Sequence, residues 1–359
     1  MNFLKCKPSV FVLKNEYLIS ATSKDFGILS VEINGQIFHQ KNSGVLSSEN
    51  NFFKIVVPQE SLNKAKKYTL KFRKTIERKA YFSTFEDEVS ISFTFKPIEK
   101  DENINVYHVA DVHYNFESAV KTCSYFGSDL DLLIVNGDIG EVETEENYFE
   151  VLKFTGDISQ GKVPIIFVRG NHDTRGRLAE KFTEFFPADG ENTFYPFSIG
   201  SISGIALDCG EDKLDDHPEY NNVNDFKTFR QNELQFLKNL ERDNNKYYFA
   251  VCHICPNFTF TGIKNRGTFV IETETYQKWT EQLERLNIDF MICGHYHYQF
   301  IVNKGDELNI IDHDYPVIVG SGLKDNKVAG CALILDKNKT TVMFTDENHA
   351  VLAKHEIVK

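Results

Sequence analysis

Residues 163–173 read VPIIFVRGNHD. An apolar run, Ile165 to Val168, stops abruptly at Arg169, and Gly170-Asn171-His172-Asp173 follows. The run is too short for a buried helix and suits a buried strand. Four more stretches repeat the pattern: residues 104–113 (INVYHVADVH), 132–138 (LLIVNGD), 248–253 (YFAVCH) and 290–297 (FMICGHYH). Each apolar run ends in Asp, Asn or His. Side chains at the carboxyl ends of neighbouring strands converge on one crevice.

Helical stretches are predicted between most of these strands. One starts near Thr144, with Glu145 and Glu146 in its first turn, and others cover Leu178 to Phe186, Asn232 to Arg242 and Thr275 to Leu286. Strands alternating with helices indicate an α/β domain. Further strands are expected at Ile202 to Leu207, and in the tail at Tyr315 to Gly320 and Ala332 to Leu335, the tail completing a second sheet.

Residues 1–100 read differently. Leu29, Val31 and Ile33 alternate with polar residues before Asn34-Gly35, a type I′ hairpin signal. Tyr68, Leu70 and Phe72, then Val89, Ile91, Phe93 and Phe95, alternate likewise. Such half-buried strands predict a small all-β sandwich over 1–100, joined by the polar segment 99–103 to a catalytic domain over 101–359.

Seven residues stand out as metal ligands: Asp111, His113, Asp138, Asn171, His253, His295 and His297. Asp111 and His113 are two apart, as are His295 and His297, so on a continuing strand each pair shares a side. Asp138 stands alone and is a natural bridging carboxylate. Mixed oxygen and imidazole donors suit two divalent or mixed-valence ions, Mn, Fe, Zn or Co. Two such ions can hold a hydroxide between them and clamp a phosphoryl group during in-line displacement. His172 is then free to assist the leaving group, with Asp173 expected to orient its ring. Arg175 is the preferred substrate contact, and the acidic run Glu211 to Glu219 is expected near the site mouth. Tyr298 is expected in the core.

The ordered series D-x-H, G-D, G-N-H-D, H and G-H-x-H, from Val106 to Phe300, resembles the calcineurin-like metallophosphoesterase superfamily. The resemblance implies two facing mixed β-sheets flanked by helices, a four-layer α/β (α+β) arrangement. It implies one metal at Asp111, His113, Asp138 and His297, and a second at Asp138, Asn171, His253 and His295. The run Gly170 to Gly176, with residues 207–213 and the β-rich N-terminus, is similar to a bacterial subgroup related to purple acid phosphatases, in which a fibronectin-like sandwich precedes the catalytic domain. The purple enzymes carry a Tyr three residues after the G-D aspartate. Here that position is Glu141, so no ferric tyrosinate colour is expected.

The remaining totals narrow the function. The net charge is −12, which disfavours a duplex nuclease. A cyclic-nucleotide phosphodiesterase or a nuclease is the alternative on the same core, and a catalytically silent scaffold is disfavoured because the ligand set and His172 are intact. Cys252-His253-Ile254-Cys255 also permits a redox pair, but no second C-x-x-C accompanies it. Lys5, Lys7 and Lys14 interrupt any secretory apolar segment, and the 7 cysteines are scattered, so reduced thiols in a cytoplasmic protein are expected. A small phosphorylated substrate is the expected partner, with neither nucleic acid nor membrane. The sequence leaves homo-oligomerisation open.

Overall fold

The computed structural model describes residues 3–40, 43–258 and 272–358. Its centre is two facing sheets. In the first, Ile104–Val109, Leu132–Asn136 and Pro164–Val168 run parallel, with Val109 level with Val135 and Asn136 level with Val168. In the second, Ile202–Leu207, Tyr247–Cys252, Met291–Cys293 and Val317–Val319 run parallel. The parallel strands finish level with one another, so their loops emerge along one rim.

Alternation along the strands sorts the side chains. Val106, Leu132, Ile134 and Ile166 meet Ile202, Ala206, Phe249, Val251 and Ile292 between the sheets. Tyr107, Val109, Leu133, Val135 and Ile165 face outward, in the layer built with Ala119, Tyr148, Leu152 and Phe154. These come from helices Phe116–Cys123 and Glu145–Ser159. Helices Phe226–Asn239 and Thr273–Arg285 cover the other sheet through Leu234, Leu237, Trp279 and Leu283. Each such side chain, fully buried, contributes about 1.5–3 kcal/mol. The result is the expected four layers.

Helix starts follow local chemistry. Asn147 Oδ1 accepts from the Thr144 backbone N–H at 2.9 Å, closing a capping box. Helix Phe226–Asn239 begins earlier than its apolar pattern suggests, because the Asp225 side chain caps it at the Thr228 N–H. The helix expected over 178–186 is a 3₁₀ turn at Ala179–Lys181 and one short turn of helix at Phe182–Phe185.

The division at residue 100 is corrected. Ser9–Val12 pairs in parallel with Pro164–Val168, and Glu16–Thr22 and Phe52–Pro58 extend the same sheet. Only Gly27–Ile33, Gln36–His39, Lys67–Glu77, Thr84–Phe85 and Val89–Thr94 form a separate sheet. In the expected sandwich, Leu29, Val31, Leu70 and Phe72 share one buried apolar cluster with Val12, Ile19, Ile55 and Val57. One of its two layers, however, is the outer reach of the main sheet. Parallel pairing between distant segments leaves no local signature. Likewise Lys327–Leu335 pairs antiparallel with Ile104–Val109 in the first sheet, while only the stretch at 317–319 completes the second. The Asn34-Gly35 turn has positive φ at both residues, as type I′ requires. Among the described residues no helix is long and apolar enough to cross a membrane.

His108 lies between the sheets with no exposure, its Nε2 3.0 Å from Asn136 Nδ2. Burial pushes its pKa down to about 3. The unfolded chain therefore binds a proton near its ordinary value while the folded chain does not. The stability this neutral ring allows is complete above about pH 6.5 and falls as pH drops toward 3. His108→Gln should flatten the pH dependence of unfolding there by up to about 1.4 kcal/mol per pH unit. Denaturant titrations of both proteins at several pH values would measure it, and parallel slopes would refute the assignment.

Candidate metal centre

The five predicted loops converge at the rim. Asp111, His113 and His297 form one group of closely spaced ligand atoms, and Asp138, His253 and His295 form another. His297 Nε2 is 3.5 Å from Asp111 Oδ1 and 3.3 Å from His113 Nε2. His253 Nε2 is 3.1 Å from Asp138 Oδ2 and 3.8 Å from Asp111 Oδ1. His113 Nε2 is 3.8 Å from Asp138 Oδ2, so Asp138 joins the groups. Asn171 enters through Oδ1, 3.0 Å from His295 Nδ1.

The route of convergence differs from the expected strand alternation. The strand stops at Val109, and Asp111 and His113 lie on a loop with φ of 54° and 42°. Asp138 (52°), His295 (72°) and His297 (59°) are also left-handed. Non-glycine residues rarely adopt this conformation, and such strain gathers at functional sites. Tight left-handed turns curl these side chains back over the strand ends. Gly137 and Gly170 make the crossing possible: a Cβ on either would land on the backbone of the other's loop.

Donor chemistry fits divalent cations. His253 Nδ1 is 2.6 Å from the Asn136 carbonyl oxygen, which fixes the ring's proton at Nδ1. Its Nε2 is buried and lies outside hydrogen-bond geometry with any protein atom. The charges fit too. Burial alone would raise the Asp138 carboxyl, but His253, His172 and His113 hold it below the usual carboxylate range. Burial, with Asp138 close by, raises the Asp111 carboxyl above the usual carboxylate range. Burial beside His253 pushes His295 down to about 3.

His172 stands at the edge of this centre, Nε2 4.0 Å from Asp138 Oδ2. Its expected partner is corrected. The Asp173 carboxylate accepts from the backbone N–H groups of Gly170 (2.8 Å), Asp138 (2.9 Å) and Ile139 (3.2 Å). It braces two ligand loops against each other. Glu141 instead reaches His172, Oε1 to Nδ1 at 2.6 Å. Arg175 Nη1 is 3.2 Å from His172 Nε2, and an arginine only donates, so the His172 proton sits at Nδ1, toward Glu141.

Arg175 rests in the fork of Glu211, with Nε and Nη2 each 2.7 Å from a carboxylate oxygen. The acidic run after Leu207 thus begins inside the site. Sequence reading missed Glu141 and Glu211 as site residues; the spacing of Glu141 from Asp138 was the available signal. Arg169 is structural: its Nε bonds Asp208 at 2.8 Å, and Phe182 and Phe229 flank its guanidinium. Tyr298, expected in the core, is 53% exposed. Cys252 Sγ lies 3.4 Å from Cys209 Sγ, and Cys252 and Cys255 are free and buried.

The family model described as calcineurin-like phosphoesterase matches residues 104–299. No curated protein matches in sequence. Among solved structures, the purple acid phosphatase PPD1 from yellow lupin (Lupinus luteus) seeds superposes with a TM-score of 0.65 at 13% identity, over 98% of this chain and 74% of that one. PhoD gives a TM-score of 0.56 at 11% identity, over 100% and 90%. At such identities the likeness speaks for the fold.

Proposed function

Since the chain belongs to the calcineurin-like phosphoesterase family, a group implying a dinuclear divalent metal centre, we propose that it hydrolyses small phosphate esters by in-line displacement at that centre. The observation that carries this reading is that Asp138 belongs to two groups of closely spaced ligand atoms, one with His113 and His172 and one with His253 and His295. Asp111, His113, Asp138 and His297 would hold one ion, and Asp138, Asn171, His253 and His295 the other. When bound, the pair supplies Lewis acidity and an activated water at neutral pH. Which metals serve is a matter for reconstitution.

The chain's own residues complete the chemistry. Arg175 presents Nη1 to the phosphoryl oxygens. His172 faces the ester and assists departure of the leaving group. Glu141, at its Nδ1, holds the ring in place. Asp173 keeps the loops of Asp138 and Asn171 in register. With Glu141 where a tyrosinate ligand would be needed, the iron-loaded protein should show no visible charge-transfer band.

The test is turnover of aryl phosphate monoesters and diesters by protein reconstituted with Mn, Fe, Zn or Co. Chelation should abolish the activity, and His172→Ala should lower kcat by about 10²–10⁴-fold. Failure of every metal to support turnover would sink the reading. Glu141→Ala should lower kcat by about 10–100-fold, as for other groups that orient active-site histidines. Because the Glu141 side chain is 41% exposed, its stability change should stay within about 0.5 kcal/mol. A large loss of melting temperature with unchanged kcat would show that Glu141 is structural.

A further inference from the structure

The anchoring of Arg175 carries the phosphoesterase reading further and rests on it. We propose that Glu211 is a positioning residue that fixes Arg175 as the donor to an oxygen present in phosphate monoesters and absent in diesters, and so makes the site selective for monoesters.

Glu211 has no exposed surface. Its Oε1 accepts from Arg175 Nε at 2.7 Å and Thr174 Oγ1 at 3.1 Å. Its Oε2 accepts from Arg175 Nη2 at 2.7 Å and the Tyr220 hydroxyl at 2.8 Å. Two parallel charge-assisted bonds lock the guanidinium plane. Nη1 is left on the far side of the fork, toward His172 Nε2 and the metal ligands. A lysine could not reproduce this, because it offers a point charge on a flexible stem.

Charge alone does not explain the arrangement. Arg175 and Lys213 face Glu211 and Asp212, which balance them. What the cluster adds is direction: one N–H donor held at a fixed place. In the resting site that donor meets His172 Nε2. An anionic phosphoryl oxygen is the stronger acceptor and displaces it. A phosphate monoester has three non-bridging oxygens; a diester has two. A diester with both of its oxygens at the metal centre would have no uncommitted oxygen for Nη1, whereas a monoester would keep one. Two loops meet in this contact, the one after Val168 and the one after Leu207, so Glu211 couples the second sheet to the reacting group.

The experiment compares kcat/KM for 4-nitrophenyl phosphate and bis(4-nitrophenyl) phosphate on metal-loaded protein. Arg175→Lys keeps a cation against the buried carboxylate, so it should fold. It should lose about 10²-fold on the monoester, the usual loss for a removed transition-state donor, and under about threefold on the diester. In Arg175→Ala, added guanidinium should restore monoester turnover by occupying the vacated fork. In the Arg175→Ala/Glu211→Ala double variant it should not, because the carboxylate that docks it is gone. Affinity for inorganic phosphate, by calorimetry, should follow the same order. Equal losses on both esters, or rescue of the double variant, would overturn the proposal. Should the wild type hydrolyse neither ester, phosphate binding still decides. Affinity that depends on Arg175 and Glu211 keeps the clamp and discards hydrolysis, whereas affinity indifferent to both discards the clamp.

Discussion

Asp138→Ala is expected to bind neither metal stoichiometrically and to lose more than about 10³-fold in kcat, beyond the effect of removing a single transition-state donor. The size follows from position. Asp138 Oδ2 lies within 4.0 Å of His253, His113 and His172, and Oδ1 accepts from the His172 backbone N–H at 2.8 Å. On the proposed ligand assignment, removing the carboxylate takes a ligand from both sites at once. It also removes the carboxylate that the three imidazoles share. Metal analysis after reconstitution and turnover of an aryl phosphate check this directly. A variant that keeps two ions and normal turnover would show that the centre lies elsewhere.

Asp173→Ala should produce the largest loss of stability among the site variants. Its carboxylate satisfies three backbone N–H groups, those of Gly170, Asp138 and Ile139, and the side chain is buried. Each buried donor left without a partner costs about 1–3 kcal/mol, so a loss of about 3 kcal/mol or more is expected. Asp173→Asn retains one carbonyl oxygen and should fall between. Denaturant unfolding separates this from Glu141→Ala, which should change kcat and leave stability nearly intact. Were Asp173→Ala as stable as wild type but catalytically dead, the aspartate would be acting on His172 after all.

The five loops were legible because each buried strand stops at a polar ligand residue, and a strand end is a local signal. The facing sheets and the division of the ligands between two ions came only with the family resemblance. Three features lay beyond that signal. Asp111 and His113 share a site through left-handed turns, and side-chain alternation does not foretell φ. Asp173 is adjacent to His172 in sequence but turns into the loop, while Glu141 arrives from the next strand's loop. Ser9–Val12 joins the main sheet through a parallel pairing with no turn to announce it. Arg175 was legible as a phosphate-binding type of residue, and its anchor lay in an acidic run expected near the site mouth, but nothing local marks Glu211 as buried.

The central claim is that two cations share Asp138. Anomalous diffraction from crystals soaked in Mn(II) tests it most directly. Two peaks about 3.5–4 Å apart on either side of the Asp138 carboxylate are predicted. A single peak, or peaks away from Asp138 and His253, would contradict it.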